Sequence, residues 1–434
     1  MKMSNLNINK INMNNIDDKY SGQNILTNAG ELYQFESGIY GYGNIWTKLE
    51  DKVKQVLKEE LDKAGCVEVT FPILQPREIW DRSNRWDVYT KNNDVMFTSN
   101  NNLGEYGLAP TAEECAAIFG SNRLKSYKNM PCTFYQIGEK FRKEMRTRGY
   151  LFRPRTFTMM DAYSFDRNPE EMKKSYDLMH EVYLKIFDRL CLDVVPTISD
   201  NGTMGGKISE EFQVFTKLGE DKVYYDKDRN LGLNEDVLSL EDKDDYLKQM
   251  GIETLDGLTE HQAVECGNNF QLGTRYSDSM NLTYIDKDGK QKPYYMGCYG
   301  IGVGRIMACL IENNVIIGED NKIKGFSLPY DVAPYKVQII YNNENIENAN
   351  NLYCKLQENN IQSIIDDRDD LGIGTKIKDV TVIGTPKMIV IGKQFDGKNY
   401  IVEDTKTNEK QVVPCEGIVS ALSETNAKSL KLVR

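Results

Sequence analysis

The chain has 434 residues, 40% of them apolar, which suits two or three domains with full cores. A net charge of −11 and a pI near 5.1 argue against a generally basic nucleic-acid binder, though not against a local basic surface. Nine cysteines without a CxxC pair, and only two histidines (His180 and His261), predict reduced thiols in a cytoplasmic protein with no disulfide framework and no zinc site.

Residues 1–28 are rich in Asn, with no Arg and no apolar h-region, and read as a flexible leader rather than a signal or transit peptide. From Trp46 to Ala64 the apolar residues Trp46, Leu49, Val53, Val56, Leu57 and Leu61 recur at helical spacing, and Gly65 closes the helix. Val67–Phe71 alternates as a strand and stops at Pro72. Leu108-Ala109-Pro110-Thr111-Ala112-Glu113-Glu114 opens a helical pattern through Phe119, with Thr111 and Glu114 at capping-box spacing. A hydroxyl and a carboxylate at a helix start could also hold a small cationic group.

Residues 134–165 form two alternating, aromatic-rich runs around a basic centre, a predicted hairpin. Arg142, Arg146, Arg148, Arg153 and Arg155 fall between the runs, set among Phe141, Tyr150, Phe152 and Phe157. Guanidinium forks match phosphate oxygens, so this hairpin points to a polyphosphate; a solvated basic loop is the plainer alternative. Met172 to Leu190 has a helical stripe, and His180 beside it reads as structural. Residues 226–262 are charged with weak patterning, a surface excursion with some helix. Residues 264–280 suggest a strand and turn.

Tyr294–Met296 leads into Gly297-Cys298-Tyr299-Gly300-Ile301-Gly302-Val303-Gly304-Arg305 and an apolar helix from Ile306 to Ile311. Strand, glycine-rich turn and helix is a context for close approach to phosphate. A dinucleotide fingerprint fits poorly, because the spacing is GxGxG followed at once by Arg305. Residues 330–334 read as a linker. Beyond them come short alternating elements: strands at 336–341, 361–365, 388–391, 400–402 and 411–413, and helices at 348–358, 374–382 and from 418. They make a compact α/β domain of common size.

These residues resemble the class II aminoacyl-tRNA synthetases, specifically the bacterial-type prolyl-tRNA synthetases without the editing insertion. The helix–strand–Pro72 unit is similar to the first class II motif, FRKE at 141–144 with RPRTF at 153–157 to the second, and GIGVGR at 300–305 to the third. APTAEE at 109–114, DAYSF at 161–165, EEFQV at 210–214, FQLGTRYS at 270–277 and IDDRDDLGIGTKIKD at 365–379 are more specific. The resemblance spans residues 35–425, and class I signatures are absent. It implies an α/β (α+β) fold: an antiparallel-sheet catalytic domain over 29–329, with 226–262 in place of an editing domain, and an α/β anticodon-binding domain over 335–434. It implies activation of proline with ATP and Mg²⁺, transfer to tRNA(Pro), and a homodimer, with no membrane association.

By the resemblance, Arg142 and Arg305 are catalytic. ATP would meet Arg142, Glu144, Phe157, Gln271 and Arg305. The amino acid would meet Thr111, Glu113, Arg142, Asn268, Phe270 and Cys298. Glu211 is a candidate for Mg²⁺, and Asp366, Asp367 and Arg368 lie where the anticodon would be read. Three positions usually histidine in the family are Ala112, Glu210 and Asn268 here, and a usual glutamate is Thr156. These departures leave open a relative that activates another amino acid or charges a carrier other than tRNA.

Overall fold

The computed structural model describes every residue except 10–12, 14, 15, 17, 18, 148, 149, 201–208, 242, 250, 252–254 and 430–434. Arg148, and parts of the expected leader and of the 226–262 excursion, lie outside the described residues. By spatial contact the chain divides into two units. One comprises Met1–Phe35, Tyr40–Val53 and Met307–Arg434; the other comprises Glu36–Ile39 and Lys54–Ile306.

The second unit is organised on a nine-stranded sheet. In chain order its strands are β1 (Val67–Glu68), β2 (Cys132–Phe141), β3 (Thr156–Asp166), β4 (Val194–Ser199), β5 (Ser209–Phe215), β6 (Asp221–Asp226), β7 (Leu231–Asn234), β8 (Thr259–Gly273) and β9 (Tyr295–Gly302). They lie in the order β5-β4-β7-β6-β8-β9-β3-β2-β1, with β5 also paired to β8. The predicted hairpin is the antiparallel β2–β3 pair, running in register from Cys132↔Phe165 to Phe141↔Thr156. Three expectations shift here. The strand after the long helix keeps only Val67–Glu68, although the Val69 amide still bonds to the Tyr135 carbonyl (2.8 Å). The excursion at 226–262 contributes β7 and the start of β8, so part of it belongs to the sheet. The glycine run is strand rather than turn, since β9 continues through Gly302 and the helix Val303–Glu312 follows directly.

One face of the sheet packs on the helix Pro169–Arg189. Its predicted stripe of Met172, Tyr176, Met179, Tyr183, Ile186 and Phe187 is buried. Asn168 caps this helix by accepting from the Glu171 amide, and Pro169 occupies the first turn, where no amide is required. The opposite face carries the helix Glu113–Arg123 over a core that includes Phe134, Tyr163, Phe165, Phe270 and Met296. The expected capping box does not form: the helix caps at Ala112 without a side-chain bond. The Thr111 hydroxyl instead donates to the Glu113 carboxylate at 2.7 Å, a competing partner two residues away.

The first unit holds a five-stranded sheet: β10 (Val337–Tyr341), β11 (Ser363–Asp366), β12 (Lys387–Ile391), β13 (Asn399–Asp404) and β14 (Lys410–Pro414), in the order β11-β10-β12-β13-β14. Helices Ile346–Glu358, Ile373–Val380 and Ile418–Ser429 accompany it, so each element predicted beyond 336 is present within a few residues of its expected bounds. Residues 330–334, expected as a linker, lie inside this unit with Val332 and Ala333 buried. The described part of the expected leader is folded. Ser21–Ala29 is an α-helix with Ile25, Leu26 and Ala29 buried, and Met3 packs against Ile45, Tyr335, Ile364 and Ile383. Gly30 ends that helix at φ +83°, a left-handed conformation in which its amide caps two carbonyls. The Asn-rich composition concealed a short apolar face.

Candidate active site

A cavity of about 320 Å³ opens on the helix-capped face of the second unit's sheet. Strand periodicity builds it, because side chains two apart share a face. Phe157, Met159 and Asp161 on β3, Asn268 and Phe270 on β8, and Cys298, Gly300 and Gly302 on β9 all line it. Lys140 and, just past the end of β2, Arg142 complete the floor. Gly300 keeps that floor low: a Cβ there would stand 3.2 Å from Met159 Cε and 3.4 Å from Asn268 Oδ1.

At one end lies a fully buried carboxylate, Glu113. It accepts from Thr111 Oγ1 (2.7 Å), Cys298 Sγ (3.3 Å) and Arg85 Nη1 (3.1 Å). Its loop is tied down by the Ala112 amide donating to Tyr163 Oη (3.1 Å) and by Gln75 Nε2 donating to the Thr111 carbonyl (3.3 Å). Burial would raise the Glu113 carboxyl, but the Arg85 charge and the Thr111 hydroxyl outweigh it and hold it below the usual range. Burial pushes the Cys298 thiol far up, and the Glu113 charge adds to this, so the thiol stays protonated and acts as a donor.

Arg142 donates from Nε to the Pro110 carbonyl (3.2 Å), contacts Met159 Sδ (3.8 Å) and lies 5.4 Å from the Phe157 ring centroid. Among the described residues no carboxylate forms an ion pair with it. Arg305 donates to the carbonyls of Phe152 (3.0 Å) and Glu265 (2.7 Å) and to Glu265 Oε2 (2.9 Å). Asn268 donates to the other oxygen of Glu265 (2.8 Å). Glu144 also faces the cavity and accepts from the Arg146 amide (3.2 Å). The cavity therefore has a carboxylate-and-donor pocket at Glu113 and two further guanidiniums in its lining, with the ring of Phe157 beside that of Arg142. Such a lining offers partners for an ammonium group, for anions and for a flat ring.

The structure thus brings together Thr111, Glu113, Arg142, Glu144, Phe157, Asn268, Phe270, Cys298 and Arg305, and leaves two predicted residues out. Gln271 does not line the cavity: it follows Phe270 on β8, and alternation turns it to the opposite face. Glu211 does not line it either; it accepts from Gln213 (2.8 Å) and Asn234 (2.9 Å). Burial first, then the nearby Glu265 charge, push its carboxyl up to about 8. Among the described residues no three His, Cys, Asp or Glu side chains gather to hold a metal. In the first unit, Asp366 is fully buried and takes two bonds from Arg368 (2.8 and 2.6 Å), whose second partner is Asp379 (2.8 Å). Asp367 accepts from the Ser4 amide and hydroxyl (2.9 and 2.8 Å).

Three functional groups went unread in the sequence. Lys140 and Asp161 form a buried ion pair (2.7 Å) in the cavity wall, and their parity with Arg142 and Phe157 was the available signal. Asp161 also accepts from Gln136 (2.9 Å) and Tyr163 (2.9 Å). Arg85 had no local signal for this role, since the carboxylates it holds, Glu113 and Glu114, are distant in the chain.

A cavity on a mostly antiparallel sheet, with a separate mixed sheet in the other unit, is the architecture of a class II aminoacyl-tRNA synthetase. Residues 96–314 match the family described as tRNA synthetase class II core domain (G, H, P, S and T), and residues 336–425 match the anticodon binding domain. The proline–tRNA ligase of Sulfurimonas denitrificans is 36% identical over 401 residues, covering 88% of this chain and 90% of the relative. That of Rickettsia bellii is 34% identical, covering 88% and 89%. The chain belongs to the proline–tRNA ligase family. Among solved structures, prolyl-tRNA synthetase from Cryptosporidium parvum complexed with L-proline and AMP superposes with a TM-score of 0.72 at 17% identity, covering 94% of this chain and 79% of that one. The same enzyme with halofuginone and AMPPNP gives 0.74, covering 98% and 81%. These two share the fold, as expected from the sequence.

Proposed function

We propose that this chain activates L-proline with ATP and transfers it to tRNA(Pro). The proline carboxylate attacks the α-phosphorus, the bond to the β-phosphate oxygen breaks, and prolyl-adenylate and pyrophosphate form. A ribose hydroxyl of the tRNA terminus then attacks the prolyl carbonyl, and AMP leaves. No protein nucleophile is required, so the residues act by positioning and by charge. The observation that carries this reading is that Arg142 and Arg305 face one cavity whose end is closed by Thr111 and Glu113.

In this reading Glu113 and Thr111 receive the substrate's amine, with Asn268, Phe270 and Cys298 shaping the pocket for its ring. Arg142 spans the substrate carboxylate and the α-phosphate. Phe157 stacks on the adenine, Glu144 accepts from its amino group, and Arg305 exchanges Glu265 for the terminal phosphate. Glu211 and Glu265 would hold Mg²⁺ together with phosphate oxygens; a carboxyl raised to about 8 beside a second carboxylate suits a cation. Mg²⁺ would neutralise the developing phosphate charge. The 365–379 segment would face the anticodon, with the Arg368–Asp366 pair shaping that surface rather than reading bases. The exposed apolar residues Val67, Ile73 and Leu74 near the β1 edge support a homodimer. The short 226–262 segment supports an enzyme that does not edit in cis.

The test is amino-acid-dependent pyrophosphate–ATP exchange across the twenty amino acids. Exchange with proline alone is the expected result. Exchange with a different amino acid would favour a paralogue, and Asn268 in the pocket wall would be the first residue to examine.

A further inference from the structure

Arg85 does not line the cavity, yet it holds the carboxylate that does. It is 2% exposed and donates to both Glu113 Oε2 (3.1 Å) and Glu114 Oε1 (2.9 Å). It also donates to the Tyr89 hydroxyl, and its guanidinium carbon lies 5.2, 4.5 and 5.2 Å from the ring centroids of Trp80, Tyr89 and Tyr276. Both carboxylates are fully buried. Glu114 Oε1 accepts a further bond from Ser83 Oγ (2.7 Å), while Glu114 Oε2 has no hydrogen-bond partner.

One guanidinium thus serves two buried carboxylates. A second uncompensated anion there is costly, so the ligand-free cluster is stable with a single proton on one of the two. The environments choose which. Burial raises Glu114, and the Glu113 charge raises it further against Arg85, whereas Glu113 lies below its usual range. Glu114 Oε2, which accepts no hydrogen bond, is the oxygen left to carry that proton. The other facing groups do not supply the missing charge. Burial holds Tyr89, Tyr163, Tyr276 and Cys298 neutral, and Lys140 and Asp161 compensate each other. Arg142 is held by the Pro110 carbonyl (3.2 Å), and among the described residues it forms an ion pair with neither carboxylate.

We infer that Arg85 and Glu114 are positioning residues for amino-acid recognition: two carboxylates share one guanidinium, the cluster is one positive charge short, and the substrate's ammonium group supplies it. Arg85 fixes the Glu113 carboxylate against Thr111 and Cys298. When the ammonium docks on Glu113, Glu114 gives its proton to solvent and shares Arg85 as an anion. Amino-acid binding is thereby coupled to release of one proton, with no change in the other atoms. This rests on Glu113 as the amine-facing carboxylate.

The experiment is exchange kinetics on the full chain from pH 5.5 to 9, with proline and ATP varied separately. In the wild type, KM for proline is expected to rise toward tenfold per pH unit on the acid side and level off on the alkaline side, with KM for ATP following a different profile. Glu114→Gln cannot ionise and is expected to raise KM for proline and flatten that acid limb. Arg85→Met is expected to raise KM for proline at least tenfold with KM for ATP within twofold, and Arg85→Lys to restore part of the loss. A wild-type KM for proline that does not vary with pH overturns the inference even if no variant folds. So does a Glu114→Gln profile that keeps the wild-type acid limb, or an Arg85→Met enzyme with unchanged KM for proline. Absence of any proline-dependent exchange in the wild type would instead refute the functional reading beneath it.

Discussion

Arg142 in the second unit and Arg368 in the first are both arginines beside a strand end, and the chain treats them oppositely. Arg368 is closed by two carboxylates, Asp366 and Asp379, at 2.6 and 2.8 Å. Arg142 touches a carbonyl, a thioether and an aromatic face. Carbonyls and rings orient a guanidinium without cancelling its charge, so Arg142 keeps its full attraction for an incoming anion. The charge of Arg368 is cancelled within its own unit. Arg305 is intermediate: the Glu265 carboxylate holds it by a single bond that a phosphate could displace, beside the bonds to the Glu265 and Phe152 carbonyls. On the proposed reading, whether a guanidinium is neutralised separates the groups that meet ligand from those that hold the fold.

The sharpest way to break this comparison is Arg142→Ala. Loss of a preorganised cation at the reacting phosphate is expected to lower proline-dependent exchange by about 10²–10³-fold or more. Affinity for tRNA, measured separately by filter binding, should stay within twofold. Equal losses in both would place Arg142 with the structural arginines.

The next effect is on stability. Lys140→Met leaves Asp161 as an unpaired buried charge, and breaking such a pair costs about 3–5 kcal/mol. A lowered urea midpoint should report it, and Lys140→Met with Asp161→Asn should recover most of the difference. A midpoint unchanged by the single substitution would mean that the Gln136 and Tyr163 bonds alone satisfy Asp161.

Arg368→Gln tests the other side of the comparison. It removes charge-assisted bonds from the fully buried Asp366, at about 1–3 kcal/mol. Exchange should be unaffected and aminoacylation of tRNA reduced, because the damage is confined to the surface proposed to face the anticodon. Lost exchange would show that Arg368 supports more than its own unit.

Much of this was legible beforehand, for physical reasons that differ by site. The β2–β3 hairpin declared itself through alternation, and the same parity would have exposed Lys140 and Asp161 had their charges been read as a buried pair. The same parity turns Gln271, the neighbour of Phe270, away from the cavity. The Thr111–Glu114 capping box had the right spacing, but Glu113 was the nearer acceptor. Arg85 could not be read from sequence, because its role depends on Glu113, Glu114 and Tyr276 meeting it in space. The helix Ser21–Ala29 was hidden because three buried side chains among asparagines hardly alter the composition.

The smallest expected effect concerns His180, which sits on the far face of the sheet from the cavity and bonds through Nδ1 to Glu210 (2.8 Å). That hydrogen bond, more than the opposing burial, raises its pKa above the ordinary histidine value. A raised folded-state pKa means the native state binds the proton more tightly than the unfolded chain does. The stabilisation is therefore complete below about pH 6.5, the unfolded value, and is lost as pH rises through the higher folded value. With the ring 27% exposed, it should amount to no more than about 1 kcal/mol. The urea midpoint should fall slightly from pH 6 to pH 8.5, and His180→Gln should remove that part of the slope. Exchange activity should not respond, because neither His180 nor Glu210 borders the cavity. A matching pH response in KM for proline that disappears in His180→Gln would mean that the two faces of the sheet are coupled, and that the division between ligand-facing and structural charges does not hold across it.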